Sequence, residues 1–430
     1  MTLRDFQERL LASGLMTKGE IEQSRRSLQD ALGPEFDQAS AVEWGKHLVQ
    51  AGQATLFQVS ALTSGRPARL VYGEYILIEK VASGGMGDVY KGVDRRSGDI
   101  AVVKVLPAAA AVDPELSRRF QREIELLSAV EHPNIVRAFD AGEANGSPFL
   151  AMEFVDGSDF GRIVRHRGPM APEDAVECIR QAAVGLAYAH ERGVIHRDVK
   201  PTNLMLDAEG VVKILDLGLA RIVQSEDGLT STGSVLGSID YMAPEQGNDS
   251  KLADHRADIY ALGCTLYFLM TGRLVFDGKN ISQKLLAHAE SPPPSLREAC
   301  PDVPEKLEQL YLKTLAKDPA SRPKKMSDVI AVLSKIQRSL PTPDLSRYER
   351  ANPAPRDNSN VAYGSTLPGP TARPRKTETA APKVLPLAPR RNILTTIAAV
   401  PAETAWRGWL GGAAICVTTV LVAFLLLSGE

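Results

Sequence analysis

Val194-Ile-His-Arg-Asp198-Val-Lys200-Pro-Thr-Asn203-Leu-Met205-Leu-Asp-Ala-Glu-Gly-Val-Val-Lys-Ile-Leu-Asp216-Leu-Gly-Leu219 is the stretch on which the reading of this chain turns. Its pattern is a short apolar strand, a charged turn, a hairpin and a second apolar strand ending at Asp216. Asp198, Lys200, Asn203 and Asp216 therefore converge at adjacent strand ends. Acceptors suited to a hard cation, a carboxylate and a lysine in one cleft point to phosphoryl transfer.

The run H-R-D-x-K-P-x-N followed by D-L-G resembles the catalytic and metal-binding loops of protein Ser/Thr kinases, in the Hanks-type form found in bacteria. The resemblance implies an α+β, bilobal protein kinase fold and assigns roles residue by residue. Asp198 would orient the substrate hydroxyl and accept its proton, and Lys200 would neutralise the moving phosphoryl group. Asn203 and Asp216 would hold Mg2+ (or Mn2+) on ATP, and Met205 would pack under the adenine. Leu217 stands where phenylalanine is commoner and keeps an apolar plug.

Upstream, a first strand near Gly73 runs into Val81-Ala82-Ser-Gly84-Gly85-Met-Gly87-Asp-Val89. This resembles the kinase glycine-rich loop, with Ala82 in place of its first glycine. Bare backbone at Gly84, Gly85 and Gly87 can close over phosphates, with Val81 and Val89 flanking the nucleotide. The strand at Ile100 carries Lys104 in an apolar run, where an unpaired charge is costly. The family pattern supplies Glu123 as its partner, with Glu125 as the alternative. Val102 replaces the usual alanine against adenine and narrows that pocket. The segment Met152-Glu153-Phe-Val155 resembles the hinge between the lobes. There Met152 would be the gatekeeper, main-chain groups of Glu153 and Val155 would bind adenine, and Asp159 would contact ribose.

Downstream of Asp216 the chain is polar and rich in hydroxyls, as suits a surface loop. Thr230 and Thr232 match threonines modified in related bacterial kinases. A phosphate there would meet Arg197 and order the segment. Ser238 keeps the hydroxyl expected near the catalytic aspartate, and Arg322 should pair with Glu245. The resemblance spans 75–337.

The rest of the chain is read from pattern alone. Over 1–67, Phe6, Leu10, Gly14, Thr17, Glu20 and Ile21 are matched by Trp44, Leu48, Gly52, Thr55, Gln58 and Val59, each pair offset by 38 positions. Thr17-x-x-Glu20, Ser40-x-x-Glu43 and Thr55-x-x-Gln58 read as capping boxes. The spacing predicts a small all-α domain of two helix-turn-helix units. It is either a bundle packed beside the next domain or a docking module for a partner or a second copy. No basic face accompanies the second helices, and the formal charge is -2, so no nucleic-acid partner is expected. The four cysteines are scattered without metal or disulfide spacing.

From 341 to 408 proline recurs among polar and basic residues, which predicts an extended juxtamembrane linker. The stretch 409–428 carries no charge and has the length of one bilayer crossing. Arg390, Arg391 and Arg407 precede it, so the positive-inside rule puts the remainder in the cytoplasm. The whole reads as a Ser/Thr protein kinase anchored in the inner membrane by a single C-terminal transmembrane helix. It would use ATP and a divalent ion, act on protein hydroxyls, and self-associate to phosphorylate its own activation loop. The alternative is a catalytically impaired pseudokinase serving as a membrane-bound scaffold, which Ala82 and Val102 favour and the full set of catalytic residues opposes.

Overall fold

The computed structural model describes residues 1–64, 69–84, 87–107, 124, 130–217, 238–248 and 253–348. Glu123, Glu125, Gly85, Thr230, Thr232 and the stretch 349–430, with the expected membrane span, lie outside the described residues.

The chain opens on helices α1 (Leu3–Ser13), α2 (Lys18–Leu32), α3 (Ala41–Gln50) and α4 (Leu56–Thr63). Each starts at a capping box, Thr2 with Asp5, Thr17 with Glu20, Ser40 with Glu43, and Thr55 with Gln58. The cap hydroxyl accepts from the third helical amide while that residue's side chain accepts from the cap amide. Donors orphaned at each helix start are thereby satisfied. Repeat-related Phe6 and Trp44 meet at the centre, both wholly buried, with ring centroids 5.5 Å apart. The Trp44 indole donates to Ser24 Oγ at 3.0 Å, so its polar edge is not stranded. A 3-10 turn over Gly33–Gln38, which the repeat does not foreshadow, joins α2 to α3 and seats Phe36 under Arg25.

Strands β1 (Val71–Tyr72), β2 (Tyr75–Gly84), β3 (Gly87–Asp94), β4 (Ile100–Val105), β5 (Ala138–Ala144) and β6 (Ser147–Glu153) form an antiparallel sheet in the order β1-β2-β3-β4-β6-β5. The sheet's buried face gathers Tyr75, Leu77, Ala101, Val103, Phe149 and Ala151. The helical module is not a free appendage. Leu70 belongs to its core and Ile76 of β2 packs against that core.

Below the sheet, β7 (Gly157–Asp159), β8 (Leu204–Asp207) and β9 (Val212–Ile214) make a small antiparallel ladder. Around it lie α5 (Phe160–Arg167), α6 (Pro172–Glu191), α7 (Pro244–Asn248), α8 (Arg256–Thr271), α9 (Ile281–Glu290), α10 (Leu296–Ala299), α11 (Glu305–Thr314) and α12 (Met326–Gln337). Helix α6 buries Ala175, Val176, Ile179, Ala183 and Leu186 at helical spacing. Helix α8 is apolar nearly all round and runs through the middle of this core, and its Asp258 is wholly buried.

The C-terminal boundary differs from the sequence reading. Instead of departing as a linker at Pro341, the chain folds back as a strap over residues 341–348. Asp174, wholly buried in the first turn of α6, accepts from the Asp344 amide at 2.7 Å and the Tyr348 hydroxyl at 3.1 Å. Arg347 reaches the same carboxylate at 3.5 Å. Proline and charge disguise this segment as linker, because its partners, the buried Asp174 and the apolar core on which Leu340, Leu345 and Tyr348 pack, lie elsewhere in the chain. Cys178, Cys264 and Cys300 are free thiols. Among the described residues no helix is long and apolar enough to cross a membrane.

Candidate active site

The turn after Val194 is held from beneath by Asp258. Its carboxylate accepts from the amides of His196 (2.9 Å) and Arg197 (2.8 Å) and bonds His190 Nε2 at 2.7 Å. Burial alone would raise this carboxyl. The bond from His190, attraction to His190 and His196 and the His196 amide outweigh it and hold the group below its ordinary range. A buried acid with these partners fixes the backbone that presents Asp198. Arg197 takes φ +66 and Asp216 takes φ +51, left-handed values that a side chain adopts only when its surroundings impose them. Sequence reasoning missed Asp258 as the support of this turn. Its signal was an acid in an otherwise apolar run.

On that platform Asp198 is gripped from two sides. Lys200 Nζ lies 2.8 Å from Asp198 Oδ2, and the same ammonium donates to Ser238 Oγ at 2.7 Å. Asn203 Nδ2 donates to the Asp198 carbonyl at 2.8 Å and to its Oδ2 at 3.0 Å, which leaves Asn203 Oδ1 as an acceptor. Asn203 in turn accepts the Leu215 amide at 2.9 Å through its carbonyl, so the metal-ligand candidates Asn203 and Asp216 are tied in register. Opposite them, Lys104 on β4 is buried and reaches Asp216 Oδ1 at 2.8 Å. The partner that the described residues give Lys104 is thus Asp216, while Glu123 lies outside them.

The nucleotide-facing residues fall into paired positions. Val89 sits opposite Lys104 in the β3–β4 register, and Val102 sits opposite Met152 in the β4–β6 register. Gly84 and Gly87 face each other at the end of the β2–β3 hairpin, next to exposed Val81. A Cβ on Gly87, at φ +120, would fall 2.2 Å from the Val105 carbonyl, so only glycine fits there. The Glu153 amide donates to the Arg137 carbonyl at 2.9 Å, and its carboxylate bonds Lys213 Nζ at 2.7 Å and the Arg137 amide at 3.2 Å. Val155 is buried just beyond. Asp159 is paired with Met205 between β7 and β8, and its carboxylate caps α5 by accepting from the Arg162 amide at 2.9 Å. Burial raises the Asp159 carboxyl and the Arg162 bond offsets this only in part.

The donor set suits a magnesium nucleotide. No cluster of three or more His, Cys, Asp or Glu capable of caging a metal occurs among the described residues. Asp216 and Asn203 would hold a divalent cation, whose remaining positions water and nucleotide phosphates commonly fill.

Arg322 and Glu245 brace the floor of this lobe. The guanidinium donates to both carboxylate oxygens, at 2.6 and 2.8 Å, as the sequence predicts. Gln246 beside it donates to the Arg197 carbonyl at 2.9 Å, a link to the catalytic turn that sequence reasoning missed.

Lysine, aspartate and asparagine set at strand ends between an antiparallel sheet and a helical lobe are the arrangement of a protein kinase domain. The chain belongs to the protein kinase domain family, whose model matches residues 75–331. It is 37% identical over 261 residues to the serine/threonine-protein kinase PrkC of Bacillus subtilis, covering 61% of this chain and 40% of that protein. It is 39% identical over 274 residues to the serine/threonine-protein kinase PknB of Mycobacterium tuberculosis, covering 62% of this chain and 43% of that protein. The chain thus spans about two fifths of the length of these curated relatives. Among solved structures, the PknI kinase domain of M. tuberculosis aligns with TM-score 0.50 and 27% identity, covering 63% of this chain and 98% of that one.

Proposed function

We propose that the chain is a Ser/Thr protein kinase that transfers the γ-phosphate of ATP to hydroxyls of protein substrates. The observation that carries this reading is the Asp198 carboxylate fixed between Lys200 and Asn203, with Lys200 also on the Ser238 hydroxyl. A base held in that way can orient an incoming hydroxyl, and the lysine can offset charge on the transferring group. The relatives named Ser/Thr-protein kinases support the same acceptor class. Magnesium, held by Asn203 and Asp216, would neutralise phosphate charge. Lys104 would anchor the phosphates, and Val81, Val89, Val102, Met152, Glu153, Val155, Asp159 and Met205 would form the nucleoside site. Incubation of the full chain with γ-labelled ATP, magnesium and a generic Ser/Thr protein acceptor tests this. Transfer to serine or threonine is expected. ATP binding without transfer would leave the scaffold reading instead.

Thr230 and Thr232 are the proposed sites of autophosphorylation in trans between two copies. Phosphopeptide mapping of active protein should find at least one modified. The chain is further proposed to be anchored in the inner membrane through 409–428, with the kinase domain cytoplasmic. The uncharged twenty-residue stretch and the arginines before it support that topology. Val420→Arg with Leu421→Arg would add about 5–7 kcal/mol to insertion and should release the protein into the soluble fraction with its activity intact. Wild-type chain recovered as soluble without detergent would refute the anchor.

A further inference from the structure

Strand β1 begins at Val71, opposite Ile76, and Leu70 just before it accepts from the Leu77 amide at 2.8 Å; past that bond the outer edge of β2 has no strand partner among the described residues. Unpaired carbonyls on a sheet edge need another partner. The strand also carries a register shift between Leu77 and Glu79, in its pairing with β3. At this point helix α4 meets the edge. Gln58 Nε2 donates to the Leu77 carbonyl at 2.8 Å, and Thr55 Oγ1 donates to the Ile78 carbonyl at 2.8 Å.

Next to these bonds Phe57 packs into both the helical core and the core of the sheet, its ring centroid 5.8 Å from that of Tyr90 on β3. Tyr90 donates to Asp88 Oδ2 at 3.1 Å, and Asp88 pairs with Lys80 across the hairpin at 2.9 Å. A continuous line of contacts therefore runs from α4 to the two residues flanking the tip, Gly84 and Gly87.

The internal repeat supplies a control built into the chain. Glu20 occupies in the first unit the place that Gln58 occupies in the second. Both accept from their cap threonine's amide, Glu20 in the open and Gln58 wholly buried. A carboxylate serves where only the cap needs an acceptor. Where a sheet carbonyl must also be given a donor, the residue is the neutral amide.

We propose that helix α4 is a fixed brace on the nucleotide-covering hairpin, with Gln58 and Phe57 as positioning residues for ATP. The proposal rests on the kinase reading above. The helical module thereby becomes part of the phosphate-binding apparatus although it touches no nucleotide. Positioning of the β2–β3 hairpin sets the affinity for ATP, while Asp198 and Lys200 lie in the other lobe and keep their geometry.

The test uses the full chain in three variants. Gln58→Glu removes the donor and turns a carboxylate toward Leu77; Phe57→Ala cuts the contact with Tyr90; Glu20→Gln is the repeat-matched control. Gln58→Glu and Phe57→Ala should raise the KM for ATP roughly three- to tenfold with kcat within about twofold, and Glu20→Gln should leave both unchanged. Equal falls in kcat at unchanged KM, or wild-type constants throughout, overturn the brace. A variant that loses the wild-type melting temperature is replaced by Thr55→Val, which removes the bond to Ile78 together with the cap on the Gln58 amide. Thr17→Val, which removes the repeat-matched cap without any sheet contact, is its control.

Hydrogen exchange on unaltered protein decides independently of folding. Coupling is reciprocal, so ATP with magnesium should slow exchange across 55–63 as well as across the hairpin. Protection of the hairpin alone overturns the brace. Absence of any ATP protection or transfer in wild type would instead count against the kinase reading itself.

Discussion

Arg322 holds Glu245 through both ends of its guanidinium, Nη1 to Oε1 at 2.6 Å and Nη2 to Oε2 at 2.8 Å, while its own side chain is wholly buried. The carbonyls of Ala316, Lys317 and Arg256 accept from the remaining guanidinium hydrogens. The two partners are therefore not equivalent. Arg322→Ala strips a carboxylate and three carbonyls of their donor and should cost about 3–5 kcal/mol. Glu245→Gln leaves those carbonyls satisfied and should cost about 1–3 kcal/mol. Urea unfolding with matched m-values measures both, and equal losses would mean that the carbonyl bonds contribute nothing.

Asp198→Asn keeps an oxygen for the Asn203 amide but forfeits the charge that Lys200 meets at 2.8 Å. Phosphotransfer should fall by about 10²–10⁴-fold, the usual worth of a positioned base. Nucleotide affinity, measured by calorimetry, should stay near wild type because the sheet and hinge are untouched. A variant that still phosphorylated itself at the wild-type rate would remove Asp198 from the catalytic role.

His288 in α9 is buried, and its Nδ1 lies 2.9 Å from the Tyr260 hydroxyl. Burial first, then the positive charges of Lys317 and Lys284, push its pKa down to about 4, against a bond to the Asp240 backbone that raises it. The folded protein thus keeps this ring neutral where an unfolded chain would protonate it. Stability from this group is complete above about pH 6.5 and is lost as pH falls toward 4, by up to about 3 kcal/mol. His288→Gln should flatten that part of the curve. Thermal melts of both proteins between pH 7 and 4 give the comparison, and parallel curves would assign the acid lability elsewhere.

Gly87→Ala forces a methyl group toward the Val105 carbonyl at a backbone angle of φ +120. Neither can yield without moving the hairpin off β4, so the cost should be about 1–3 kcal/mol with weakened ATP binding. Gly98, also left-handed but with open space around it, is the matched comparison. Gly98→Ala should lower the melting temperature slightly and leave the KM for ATP alone.

What could be read from sequence was what local chemistry dictates. The capping boxes at Thr17, Ser40 and Thr55 form because each needs only its own helix. Asp198, Lys200 and Asn203 could be grouped because they stand within six consecutive positions, 198–203, and their side chains meet in one turn. Contacts made across the fold were hidden. Nothing near Gln58 says that Leu77 will present a carbonyl to it, and Lys104 gave no sign of Asp216 beyond the need for some carboxylate. Asp174 and Tyr348 each look ordinary until the fold brings them together. Arg322 with Glu245 was the exception, legible through family pattern and not through any local rule.

The strap over Asp174 has a mechanical meaning. Three contacts, from the Asp344 amide, the Tyr348 hydroxyl and Arg347, fasten the chain to the start of α6 before it continues. Tension arriving from beyond Tyr348 meets this clamp first and reaches the end of α12 only after it slips. Tugging on the tail then loads the start of α6 and the seat of Tyr348 in the core before it reaches the cleft.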